Sequence, residues 1–319
     1  MKYIKKFNQH SLYEAYIVGT EFVKPNLSLC IEEGEVHYTQ YIPTPKFLDI
    51  LYSDSNGNLS YTSTVLSASD GKTPIAICIA GTEFFGENEK ARWMSLKYMN
   101  YETPDTGSLL TQNMYWGNFG TDITTIDNII ITYLNGPESG YMNVDYYNNS
   151  SQSDKLPNIF NENNEWNLSV LGTINQYAMT DIDGKNKTTN IFEYAHRQQN
   201  WQTDEYIDNN TNNSSAPAAC CCWRYHTLGT QQGDWYLGAA GEMCMILAKK
   251  IDINTKLALI SAVYPNDCIS SLADDKYWTC TEYGGQHVYS INTDTAWLGI
   301  SYYSKSTYGN FNTIALLQY

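Results

Sequence analysis

Hydrophobic positions in this chain come mostly in short runs, separated by glycine-, asparagine- and serine-rich stretches, which predicts strands joined by turns. Residues 46–52 and 59–66 carry β-branched and aromatic side chains, and Asn56-Gly57 and Asp70-Gly71 supply turns. The continuous apolar run Pro74–Gly81 suits a buried central strand, and Arg92–Met99 looks like another. Short strands are expected again at Val288–Ile291, Ala296–Tyr302 and Thr313–Leu317. Helical spacing is clearest from Ala239 to Lys250, where Met243, Ile246 and Leu247 fall at i, i+3 and i+4. Glu242 in its first turn and Lys249-Lys250 at its end match the helix dipole. A second helix is expected after a Thr188-Thr189 cap, through Ile191, Phe192, Tyr194, Ala195 and His196 towards Trp201. Residues 135–190 read as long inserted surface loops, and Asp208–Ser215 as a polar loop. The chain is therefore expected to be α+β and β-rich.

The first 45 residues look separate from the rest. Ser11-x-x-Glu14 resembles a capping box, predicting a short helix through Tyr13, Ala15, Tyr16 and Ile17 that Gly19 stops. An extended segment, Phe22–Cys30, follows, and Glu32–Tyr38 with Pro43 and Pro45 reads as arm and linker. This gives an N-terminal arm, 1–45, and a body, 46–319. An arm of this kind buries too little surface alone, so docking on another subunit or packing in a homo-oligomer is expected, a trimer before a dimer.

Charge narrows the functions. With a net charge of −15 and no basic stripe, nucleic-acid binding is disfavoured. The 27 Tyr and 8 Trp suit both strands and recognition surfaces, because stiff amphipathic rings cost little entropy to order. Basic residues open the chain, but Asn8, Gln9, His10, Tyr13 and Glu14 interrupt any signal-peptide core, and no window has the ~20 apolar residues of a bilayer span. The expectation is a protein kept in a cytosol, or leaving it inside an assembled particle. Eight cysteines without regular spacing, three of them consecutive at Cys220–Cys222, are expected to be buried reduced thiols with no disulfide framework. Neither they nor the five histidines show metal-ligand spacing, so no metal or cofactor is expected.

Three segments carry a family resemblance: Cys222–Thr230 leading into Gly233-Asp234-Trp235-Tyr236-Leu237-Gly238-Ala239-Ala240-Gly241-Glu242-Met243, then Tyr277-Trp278-Thr279-Cys280-Thr281-Glu282-Tyr283, then Ile314–Leu317. Their order resembles the C-type-lectin-like domains of bacterial surface proteins and phage tropism proteins, with Gly238 where proline is usual and Cys280 where serine is usual. The match is best over 219–319. The segment Phe22–Cys30 with Glu35–Tyr38 resembles the start of virion fibre proteins of gut phages, the crAss-like group included. The resemblance implies a structural virion protein, a head or tail fibre at the virion surface made in the host cytoplasm. It also implies a C-type-lectin-like body for host-surface or glycan binding. A capsid-decorating fibre and a bacterial cell-surface adhesin are the alternatives.

Within the motif, Trp235 and Leu237 are expected to alternate inward, Ala239–Gly241 to let the next helix pack closely, and the Glu282 carboxylate to orient backbone amides. Ligand contacts would lie near the C-terminus, where His287, Tyr289, Trp297, Tyr302, Tyr303 and Tyr308 are interleaved with small polar residues, as in paratopes. Alternate aromatics of each strand should nevertheless point into the core. Candidates for virion attachment are Phe22, Val23, Lys24, Pro25 and Asn26. Formylglycine-generating enzymes share the broad fold and use paired cysteines, but Cys268 and Cys280 lack an obvious basic partner. No phosphate loop, nucleophile elbow or zinc-protease helix is present, so no enzyme is expected.

Overall fold

The computed structural model describes residues 17–18, 21–22, 27–32, 35–40, 44–81, 90–117, 120, 123, 178, 181–199, 216–293, 299–307 and 311–319. The chain divides into two compact units, Met1–Thr44 and Pro45–Tyr319.

In the first unit β1 (Ile17–Val18) pairs with β2 (Glu21–Phe22), and β3 (Leu27–Glu32) pairs with β4 (Glu35–Gln40), both antiparallel. Ile17 is thus in a strand and not in the expected helix; β-branched Ile17 and Val18 favour extended backbone, and they pair with Phe22 and Glu21. Tyr13, Ala15 and Tyr16 lie outside the described residues. Of Glu32–Tyr38, expected as arm and linker, Glu32 lies in β3 and Glu35–Tyr38 in β4, in a register that sets Leu29 opposite Tyr38 and Ile31 opposite Val36.

The second unit combines sheets and helices, an α+β arrangement with a large share of strand. Its six-stranded antiparallel sheet runs β6 (Leu59–Thr62), β5 (Ile50–Asp54), β7 (Lys72–Ala80), β8 (Arg92–Tyr98), β14 (Ile314–Gln318), β9 (Trp235–Leu237). Pro74 lies in β7, and the β5–β7 register shifts between Leu51 and Tyr52, beside the position that a proline cannot hydrogen-bond. A four-stranded sheet runs β12 (Gly299–Ser304), β11 (His287–Asn292), β10 (Lys276–Glu282), β13 (Phe311–Asn312), with only the β10–β13 pair parallel.

Four described helices accompany the sheets: α1 (Gly184–Gln199), α2 (Pro217–Arg224), α3 (Ala240–Ala248) and α4 (Lys250–Val263). Two apolar clusters result. Ile77, Ile79 and Leu96 join Met243, Ile246 and Leu247 of α3 and Ile253, Leu257 and Ile260 of α4. Cys78 and Trp93, from the same strands, join Ile191 of α1 and Ala218–Cys222 of α2. Strand alternation therefore sends neighbouring residues into different cores.

The expected helix at Ala239–Lys250 is interrupted at Lys249, whose backbone (φ −117°, ψ 16°) leaves helical geometry before α4 starts. Ile253, Leu257 and Ile260 have the i, i+4 and i+7 spacing of a buried helical face, and they are the buried side of α4. Helix α1 begins at Gly184, four residues before the expected cap. Thr188 is buried inside it, where its hydroxyl donates to the Leu237 carbonyl and accepts from the Leu237 N–H, both at 3.0 Å. Trp201, residues 135–177 and Asp208–Ser215 lie outside the described residues.

Candidate functional site: an aromatic rim on the four-stranded sheet

The rim begins with strand register. His287, Val288 and Tyr289 of β11 face Ser304, Tyr303 and Tyr302 of β12. Successive side chains of a strand point to opposite faces, so Tyr302 and Tyr303 diverge. On one face Tyr302 stacks on Tyr283 with ring centroids 4.6 Å apart, and His287 meets it edge-on at 5.5 Å. Tyr289 approaches Tyr302 edge-on at 6.4 Å. On the other face Tyr303 packs against Phe311 at 5.0 Å, with the Lys276 ammonium 5.5 Å from the Tyr303 ring.

Burial separates the expected ligand residues. His287, Tyr302 and Tyr303 are partly exposed. Tyr289 is fully buried, and its hydroxyl has no hydrogen-bond partner among the described residues, so it packs the core and presents no surface. Trp297 and Tyr308 lie outside the described residues, as do Val23, Lys24, Pro25 and Asn26. Phe22 is in β2. Tyr283, the last residue of the second motif segment, completes the cluster; aromatic spacing alone could not reveal that the β10–β11 turn brings it beside Tyr302.

The rim rests on a rigid base. Gly284 takes a left-handed backbone (φ 78°) in the turn between β10 and β11, and the Tyr283 N–H donates to the His287 carbonyl at 2.9 Å. Glu282 is buried, accepts from the Ile123 N–H at 3.1 Å and pairs with Lys305, whose ammonium lies 4.7 Å from the Trp116 ring. The expected role of Glu282 in orienting an amide thus has a partner, Ile123. Trp278 donates to the Met114 carbonyl at 2.7 Å and Trp116 to the Thr279 carbonyl at 2.8 Å, fixing β10 against the segment around Met114.

The other motif residues interlock through buried polar groups. Glu242 accepts from Arg92 Nε (2.6 Å), the Tyr236 hydroxyl (2.8 Å) and the Ala239 N–H (3.0 Å), joining β8, β9 and the start of α3. Burial raises its carboxyl to about 7, against the opposing pull of the Arg92 guanidinium. The Thr281 hydroxyl accepts from the Ala240 N–H at 2.8 Å and donates to Asp181 at 2.6 Å; Asp181 also pairs with Lys187. Trp235 and Leu237 are fully buried, as alternation predicted, but Tyr236 between them is buried too, in the opposite core. The residue that looked outward on sequence faces Glu242.

Seven cysteines, Cys78, Cys220, Cys221, Cys222, Cys244, Cys268 and Cys280, are buried; Cys30 has no described side chain. Burial pushes Cys220 and Cys268 up to about 12 and Cys221, Cys222 and Cys280 well above the ordinary thiol value. Such thiols stay protonated and are poor nucleophiles. Among the described residues no group of three or more His, Cys, Asp or Glu side chains could hold a metal ion, and no helix is long and apolar enough to cross a membrane.

No protein-family model matches the chain. No curated protein matches it either. Among solved structures, a fimbrial protein from Bacteroides ovatus ATCC 8483 aligns with 86% of this chain and 49% of its own, at 13% identity and a TM-score of 0.43. The chain spans about half the length of that protein, and a likeness of this extent assigns neither fold nor function.

Proposed function

We propose that this chain is a non-enzymatic structural protein of a bacteriophage particle, a head or tail fibre of the crAss-like kind. Its body would be a C-type-lectin-like domain that uses the aromatic rim to bind a host-surface protein or glycan. The observation that carries the binding role is the rim itself: Tyr283, His287 and Tyr302 form one ring cluster that is partly exposed, on strands held from below. Aromatic anchors on a rigid scaffold lose little entropy on binding, and ring faces suit the C–H faces of sugars. Support for the lectin-like class comes from the motif residues, which form strand β9, helix α3 and strand β10 in the order the resemblance implies. Deeply buried, protonated thiols support a role without covalent chemistry. The N-terminal unit would attach the fibre to capsid or tail proteins, and the fibre would be a homo-oligomer at the virion surface, a trimer before a dimer.

Binding of the purified full chain to host cells, with and without Tyr302→Ala and His287→Ala, tests the reading. Loss of a central aromatic anchor costs about 2 kcal/mol, roughly thirtyfold in affinity. Wild-type protein that ignores host cells but sits stoichiometrically on particles makes it a decorating fibre. Finding it on the bacterial envelope in phage-free cells makes it an adhesin.

A further inference from the structure

A cleft of about 230 Å³ opens elsewhere on the body, between the β5, β7 and β8 strands and the loop that follows α2. None of its lining residues belongs to the aromatic rim. Lys97 and Asp267 stand on its wall with Nζ and Oδ1 3.9 Å apart, and their side chains are 25% and 39% exposed. At that separation the two are not hydrogen-bonded to each other, so the ammonium can still donate and the carboxylate can still accept. His226 adds a ring at the rim of the cleft, held by its Nδ1, which lies 3.1 Å from the Arg224 carbonyl and donates to it. Exposed Thr73 and Thr106 contribute hydroxyls, and Leu228, 59% exposed, gives the cleft an apolar platform.

We propose that this cleft is a binding site for one uncharged pyranose unit, such as the terminal residue of a surface glycan. A sugar hydroxyl donates and accepts at once. Neighbouring hydroxyls can donate to Asp267 and accept from Lys97, while a C–H face rests on Leu228. The ion pair is neutral as a whole, so a net charge on the ligand would leave one wall group opposed. The volume is below the ~300–1,000 Å³ of sites for drug-sized ligands, which admits one ring and not an oligosaccharide. The site does not depend on the role assigned to the rim.

The test uses the full chain with free glucose, galactose and N-acetylglucosamine, followed by calorimetry and saturation-transfer NMR. Leucine, a zwitterion, and glucuronate, an anion, serve as contrasting probes. At least one neutral sugar is expected to bind with a dissociation constant on the order of 1 mM, as befits a few contacts to one small ring. Lys97→Met and Asp267→Asn should each weaken it about tenfold or more with unchanged thermal unfolding, and Tyr302→Ala should leave it intact. The proposal is overturned if no neutral sugar binds, if leucine or glucuronate binds in preference, or if binding survives both cleft substitutions. Loss with Tyr302→Ala alone would move the sugar to the rim.

Discussion

In the six-stranded sheet large polar groups are held from several directions at once, whereas the rings at the turn end of the four-stranded sheet are held largely by one another. Arg92, Tyr236 and the Ala239 amide converge on Glu242 from three elements, and all these groups are out of water. Tyr283, His287 and Tyr302 meet as rings, with part of their surface open. The first arrangement fixes relative positions of β8, β9 and α3. The second leaves surface for a partner. Even within the small sheet the contrast persists, since Tyr289 faces Tyr302 across the ladder yet is fully buried.

The sharpest break should come from the base. Trp278→Ala removes a fully buried ring, its stacking on Phe311 at 4.0 Å and its hydrogen bond to the Met114 carbonyl. A loss of about 3–5 kcal/mol is expected in urea unfolding of the full chain. A loss under ~1 kcal/mol would mean that the segment around Met114 is not fixed to β10.

Glu242→Ala removes at one stroke the acceptor of the Arg92 guanidinium, the Tyr236 hydroxyl and the Ala239 N–H. The expected cost is also large, about 3 kcal/mol, because a buried guanidinium and two further donors are left without their acceptor. Similar stability of variant and wild type would place the pair in solvent-like surroundings.

Tyr302→Ala should separate the two regions most clearly. Stability should fall by only about 1–2 kcal/mol for a half-buried ring, while cell binding falls roughly thirtyfold. A loss of stability as large as that of Trp278→Ala would put Tyr302 in the core and end its candidacy as an anchor.

A smaller effect concerns pH. The Glu242 carboxyl is raised by burial from an ordinary value of 4.5 to about 7, so between these values the folded state binds more protons than the unfolded one. Its stabilising contribution is complete below about 4.5 and is lost as pH rises through about 7. Unfolding free energy measured from pH 5 to 8 should contain a decline that Glu242→Gln abolishes. An unchanged profile in the variant would assign that decline to another group.

The smallest effect is expected at Tyr289→Phe. The lost hydroxyl is buried and has no hydrogen-bond partner among the described residues, so its removal should leave stability within about 0.5 kcal/mol of wild type or raise it. A clear destabilisation would mean that a bound water satisfies the hydroxyl.

Local pattern was enough to place much of this protein. The apolar run in β7, the short runs of strand-forming residues in β8, β11 and β14, and the 3.6-residue spacing of Met243, Ile246 and Leu247 each dictate an element locally. His287 and Tyr302 were likewise readable as aromatic residues among small polar ones. Tertiary structure decided the rest, because burial depends on what packs against a residue and not on its neighbours in sequence. Ile17 takes a strand because a pairing strand follows it. Thr188 sits inside α1 because the Leu237 backbone uses its hydroxyl. Tyr236 is buried because Glu242 and the second core lie opposite it. Of the tyrosines proposed on sequence, register sends Tyr303 to the other face and packing withdraws Tyr289, while the Gly284 turn brings in Tyr283. A sequence names the rings available for a rim, but only the pairing of distant strands settles which of them meet there and which keep surface to offer.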